Sequence, residues 1–138
     1  MSVKYNKRVL IIEDIRDTIE GTIAEFNYNN IEVDVARSVH EAIAFLKTKK
    51  YDGLIVDYWL PDDIGGDIIK NAGDIIINNL RNGKYSNLNI NTEIIVYTAH
   101  LQHITTPPNS NSKIFSPVQS KLTPPVDIIN LFLEKWKK

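Results

Sequence analysis

Apolar residues fall along this chain in two alternating patterns. Short unbroken runs, such as Val9 to Ile12 in "RVLIIED", are separated by stretches in which apolar positions recur every three or four residues. An unbroken run bounded by charge predicts a strand buried on both faces. It is followed by "IRDTIEGTIAEF", where Ile15, Ile19, Ile23 and Phe26 make one helical face. "IEVDVA" alternates from Ile31 to Val35, as a half-exposed edge strand does. "SVHEAIAFLKTKK" opens with a capping box, Ser38 at the N-cap and Glu41 three residues on. Val39, Ala42, Ile43 and Leu46 then line its apolar side.

"GLIVD" reads as a third strand, and "DIIKNAGDIIINNLRNG" as a helix with Ile68, Ile69, Ala72, Ile75, Ile76 and Leu80 on one face. "TEIIVYTA" is a fourth strand. "KIFSPVQSK" is a fifth, whose Pro117 suits an edge position. "TPPVDIINLFLEKWKK" closes the chain as a helix: Thr123 caps it, Pro124 takes its first position, and Ile129, Phe132, Leu133 and Trp136 face inward. Between them, residues 81–93 are Asn-rich and aperiodic, which predicts an exposed, inserted loop. Strands alternating with helices imply an α/β fold: a doubly wound, flavodoxin-like parallel sheet of five strands with helices on both faces.

Composition narrows the class. The 138 residues suit one domain, read as spanning 1–138, and 43% apolar with 24% charged residues is ordinary for a soluble globular protein. A net charge of −1 gives no field that favours nucleic acid or a membrane surface. The absence of cysteine excludes disulfides and thiolate-bound metals, and is compatible with the cytoplasm. The first apolar run is too short for a signal peptide or membrane span.

Candidate chemistry lies where the strands end. The first ends in Glu13-Asp14, the third in Asp57, the fourth in Thr98, and the fifth near Lys121. In a doubly wound sheet these ends converge at the edge where ligands bind. Carboxylates gathered there repel one another unless a cation joins them, and an all-oxygen set selects a hard ion, magnesium where phosphate is involved. A carboxylate beside such a metal can attack phosphorus and become an aspartyl phosphate. Lys121 would offer a point charge and Thr98 a hydroxyl to the phosphoryl oxygens.

Together, Glu13-Asp14, Asp57, the "LPDDIGG" turn with Pro61 and Gly65, Thr98-Ala99 and Lys121 make the chain resemble the response regulator receiver domain of two-component signalling. The resemblance implies a (βα)5 receiver fold and a signalling domain rather than an enzyme, although such domains can catalyse their own phosphorylation and dephosphorylation. It implies that Glu13, Asp14, Asp57 and the backbone carbonyl of Trp59 hold Mg²⁺. Asp57 would take its phosphoryl group from a sensor histidine kinase or a histidine phosphotransfer protein. Thr98 and Lys121 would contact that group and bias binding to an output partner or pass phosphate along a relay.

The chain also departs from that family. "AHLQHITTPPNSNSKIFSPVQS" leaves room for at most a short turn at 100–104 where the family has its fourth helix. Val118 stands where an aromatic is usual and Leu122 where proline is, which argues against the usual threonine–aromatic switch. Trp59, two residues after the acceptor, is placed to exclude water and predicts slow loss of phosphate. His100 and His103 are too few to make a metal site. The missing helix, Val118 and Leu122 favour a rival reading, an interaction module that binds its partner without switching; the intact acid, hydroxyl and lysine set opposes it. An aspartyl-phosphate phosphatase is disfavoured because Trp59 occupies the place of a general acid. Flavin binding is disfavoured because the acidic first loop would face a phosphate.

Overall fold

The computed structural model describes residues 6–14, 19–98, 119–120 and 125–136. The elements run β1 (Arg8–Ile12), α1 (Glu20–Tyr28), β2 (Glu32–Ala36), α2 (Val39–Thr48), β3 (Gly53–Val56), β4 (Leu60–Pro61), β5 (Ile68–Ile69), α3 (Ala72–Arg81), β6 (Glu93–Thr98), β7 (Gln119–Ser120) and α4 (Pro125–Trp136). Five strands form one sheet in the order β2-β1-β3-β6-β7, every pair parallel. The fold is the flavodoxin-like one, and the strand order turns back between β1 and β3. Among the described residues no helix is long and apolar enough to cross a membrane.

Unbroken apolar runs are explained by what covers each face. Leu10, Ile12, Leu54, Val56, Ile94 and Val96 pack with Ala42 and Leu46 of α2 and Ile76, Ile77 and Leu80 of α3. The alternate residues Val9, Ile11, Ile55 and Ile95 pack with Ile19, Phe26 of α1, and Ile128, Ile129 and Phe132 of α4. Successive strand side chains point to opposite faces, so a strand covered on both sides has no polar position to spare. β2 lies at the edge, and its burial does not alternate as its sequence does: Glu32 is exposed, Val33, Asp34 and Val35 are all partly buried, and Ala36 is buried.

The capping box at α2 forms with a shift of one residue. Ser38 Oγ accepts from the Glu41 N–H at 3.1 Å, while the Glu41 carboxylate accepts from the N–H of Arg37 rather than of Ser38. The helix read from Asp67 onward begins only at Ala72. Ile68 and Ile69 instead pair antiparallel with Leu60 and Pro61 in a small hairpin, which leaves Ile68 exposed. With that later start the buried stripe is Ala72, Gly73, Ile76, Ile77 and Leu80, and Ile75 faces out.

Of residues 81–93, Arg81 ends α3 and Glu93 begins β6; the stretch 82–92 is irregular but not simply solvated. Tyr85, Asn89 and Thr92 are buried. Asn89 accepts from the Tyr51 N–H at 2.7 Å and donates to the carbonyls of Leu46 at 3.1 Å and Lys49 at 2.6 Å. It thereby satisfies backbone groups where α2 ends and β3 begins. Arg81 returns across the segment to the carbonyls of Ile90 and Thr92. Asparagine-rich composition suggests a loop; here one asparagine is a structural tie. The expected short helical turn at 100–104, together with His100, His103, Val118, Lys121, Leu122, Thr123 and Pro124, lies outside the described residues.

Candidate phosphoryl and metal site

The parallel register assembles the site. Ile12 is level with Ala36 on one side and with Val56 on the other. The next residue of each strand therefore forms a row at the carboxyl edge: Arg37, Glu13 and Asp57. The ladder continues into this row, with Glu13 N–H donating to the Ala36 carbonyl at 2.9 Å and Asp57 N–H to the Ile12 carbonyl at 3.0 Å. Each acid is thus held by its strand.

Asp14 joins them from the start of the following loop. One carboxylate oxygen from each of Glu13, Asp14 and Asp57 lies within 4.8 Å of the others. Glu13 and Asp57 are buried, at 2% and 5% exposure, and Asp14 is partly exposed. Three acids this close repel strongly when ionised, the more so out of water. A hard divalent cation relieves that repulsion, and the all-oxygen donor set suits one. The backbone N–H of Trp59 reaches one Asp57 oxygen at 3.4 Å, a long contact that orients the carboxylate.

The chain beyond Asp57 is pressed against the start of α3. Gly73 N–H donates to the Tyr58 carbonyl at 3.1 Å. A Cβ at Gly73 would come within 2.5 Å of the Asp57 carbonyl oxygen, so no side chain fits there without moving Asp57 or the helix. The β4–β5 hairpin turns through Gly65, whose φ of +79° is easy only for glycine. Its tip is tied to α2: His40 N–H donates to the Asp62 carbonyl at 3.2 Å, and the imidazole lies 3.6 Å from the Asp62 and 3.8 Å from the Asp63 carboxylate. Lys70 Nζ stands 5.2 Å from the centre of the Trp59 ring.

Tyr58 is buried beside these groups, and among the described residues its hydroxyl has no hydrogen-bond partner. Burial, then the charge of Asp74, pushes its phenol up to about 12. A buried hydroxyl with no partner costs stability, so Tyr58→Phe is expected to gain about 1 kcal/mol in urea unfolding at neutral pH. The folded state holds this proton more tightly than the unfolded one. Its contribution is therefore whole below about pH 10 and is lost as pH rises toward 12. The variant should lose less stability across that window, while Tyr51, also pushed up by burial and by Asp34, keeps part of the alkaline loss.

The sequence-predicted residues are thus placed unevenly. Glu13, Asp14 and Asp57 come together. Trp59 lies two residues beyond, with its N–H on Asp57. Thr98 ends β6 and is level with Ser120 of β7. Lys121, the residue after Ser120, lies outside the described residues. Sequence reasoning missed Arg37, although it follows its strand as Glu13 follows β1, and it missed the need for glycine at 73.

Comparison with known proteins agrees with this fold. The structure is similar to the receiver domain of the Francisella response regulator 1452, with 22% identity, a TM-score of 0.73, and coverage of 96% of this chain and 98% of that one. It is similar to a CheY-like receiver domain protein from Methanospirillum hungatei, with 20% identity, a TM-score of 0.71, and coverage of 95% and 94%. The receiver domain of a sensor histidine kinase from Pseudomonas aeruginosa, which carries a magnesium ion in its active site cleft, matches at 17% identity and a TM-score of 0.68 over 96% of this chain and 98% of that one. At such identities the likeness is one of fold. No curated protein matches the chain. A family model for the response regulator receiver domain matches residues 9–107. Strand order, acid cluster and family model agree, and the chain belongs to the response regulator receiver domain family.

Proposed function

We propose that this protein is a phosphorylatable receiver, with Asp57 as acceptor. The observation that carries the reading is the approach of Glu13, Asp14 and Asp57 to within 4.8 Å at the carboxyl edge of the sheet. Mg²⁺ would be held by these three carboxylates and the Trp59 carbonyl. When bound it supplies positive charge against the phosphoryl oxygens. One Asp57 oxygen attacks the phosphorus of a phosphohistidine on a sensor kinase or phosphotransfer protein. The nitrogen–phosphorus bond breaks, and the imidazole leaves with the electron pair. Thr98 and Lys121 contact the transferred group, and the new charge biases how the cytoplasmic domain binds its output partner or passes phosphate on.

Support for the metal comes from the donor set here and from the magnesium-bound Pseudomonas relative. A similar response regulator from Burkholderia pseudomallei carries a phosphorylated aspartate. The test is intact-mass spectrometry after incubation with acetyl phosphate, with Mg²⁺ or with a chelator. A gain of one phosphoryl group that requires Mg²⁺ is expected. A folded protein that gains none from acetyl phosphate or from a phosphohistidine donor would overturn the reading. Trp59, half-covered beside the acceptor, leads us to expect a phosphorylated form that outlives a desalting step; its disappearance within seconds would contradict that role.

A further inference from the structure

We infer that Arg37 is a second cationic contact for the incoming phosphoryl donor, on the flank of Asp57 opposite β6. The inference rests on the phosphoacceptor reading and adds a binding residue to that site.

Arg37 follows Ala36, the register partner of Ile12, so it stands beside Glu13 in the row of strand ends. Its backbone is fixed by the Glu41 carboxylate on its N–H and by the Ser38 cap that follows. The exposed side chain borders two clefts. One, about 150 Å³, lies between α1 and β2 and is lined by Glu13, Ile19, Ile23 and Val35. The other, about 240 Å³, lies between Asp14 and the β4–β5 hairpin, where Pro61, Ile64 and Ile68 line it. Among the described lining residues of both clefts Arg37 is the one cation. Among the described residues it makes no ion pair within 4.0 Å, although Glu13 is its neighbour along the edge.

The electrostatics of the reaction explain the need. Three carboxylates with one divalent cation leave a net charge of −1, which Lys121 brings only to zero, so acids, metal and lysine together do not attract an anionic donor. The hairpin tip adds Asp62, Asp63 and Asp67 to the same side. A guanidinium at the mouth offsets this negative charge and offers two parallel N–H donors to phosphoryl oxygens. It also steers the donor in, an effect that weakens with salt. A counter-ion serving the acids alone would lie in contact with one of them, and Arg37 does not.

The experiment compares two small donors on the whole chain: acetyl phosphate, a dianion at neutral pH, and phosphoramidate, a monoanion. In the first, Asp57 attacks phosphorus and acetate leaves with the electron pair; in the second, the leaving group is ammonia. Initial rates are read by intact mass at saturating Mg²⁺ for wild type, R37Q and R37K. R37Q should slow acetyl phosphate about tenfold, the loss of one charge-assisted contact. It should slow phosphoramidate less and flatten the salt dependence, and R37K should recover part of the rate. Equal rates for wild type and R37Q overturn the inference alone. So does a loss common to both donors, or a change confined to Mg²⁺ affinity, which would make Arg37 a counter-ion of the acids. A wild type that accepts phosphate from neither donor overturns the phosphoacceptor reading and this inference with it. Melting temperature checks that the exposed substitution leaves the fold intact.

Discussion

Asp57→Asn is expected to abolish phosphoryl uptake and, without metal, to raise stability. The first effect follows from the loss of the only nucleophile proposed at the edge, since an amide oxygen does not form the acyl phosphate. The second follows from geometry. Asp57 is almost wholly buried and shares a 4.8 Å neighbourhood with two other carboxylates. Removing its charge relieves repulsion in a poorly solvated place, with an expected gain of about 1–2 kcal/mol in chelator. Mg²⁺ stabilises whatever state binds it. Its addition should therefore raise the melting temperature of the wild type more than that of the variant, and the two curves should converge as Mg²⁺ rises. Thermal unfolding with chelator and with a Mg²⁺ series measures this. A variant less stable than wild type in chelator would show that Asp57's contacts outweigh the repulsion.

Asn89→Ala is expected to cost about 3 kcal/mol, although the residue lies at the opposite end of β3 from the acids. Its carboxamide oxygen accepts from Tyr51 N–H and from the Thr92 hydroxyl; its nitrogen donates to Leu46 and Lys49 carbonyls. Alanine leaves these buried groups short of partners, and each unsatisfied group carries its own desolvation cost. The one Thr92 hydroxyl proton is shared between the Asn89 oxygen and the Tyr51 carbonyl, which ties Asn89 to the junction that starts β3. Urea denaturation reads the change directly. A loss below about 1 kcal/mol would mean that water replaces the carboxamide. Acceptance of phosphate by the folded fraction should be unchanged, because the site is built from the other ends of the strands.

These two residues mark how far the sequence could be read. Asp57, Glu13 and Asp14 are legible because each follows an unbroken apolar run, and a charge at the end of a buried strand asks for a reason. Arg37 has the same position after β2, but its strand alternates as an edge does, and nothing local sets the arginine apart from a solvated one. Only register shows it beside Glu13. Ile68 and Ile69 fit the helical spacing of Ala72 and Ile76; their pairing with Leu60 and Pro61 across the turn takes them out of the helix. Asn89 sits in a segment whose composition says loop, and its value lies in partners about forty residues away.

The sequence by itself determined the alternation of strands and helices, the two-sided burial of the central strands, and the residues of the acidic edge. These are consequences of local periodicity: a strand buried on both faces must be apolar throughout, and a helix must repeat its apolar positions every three or four residues. The tertiary structure alone decided that three carboxylates meet within 4.8 Å, that α3 presses on the Asp57 backbone where only glycine fits, and that an asparagine closes the far end of the sheet. Such facts depend on register and on close approach between segments distant in sequence. Side-chain period fixes which face a residue takes, whereas the distance between two strand ends is set by how whole elements pack.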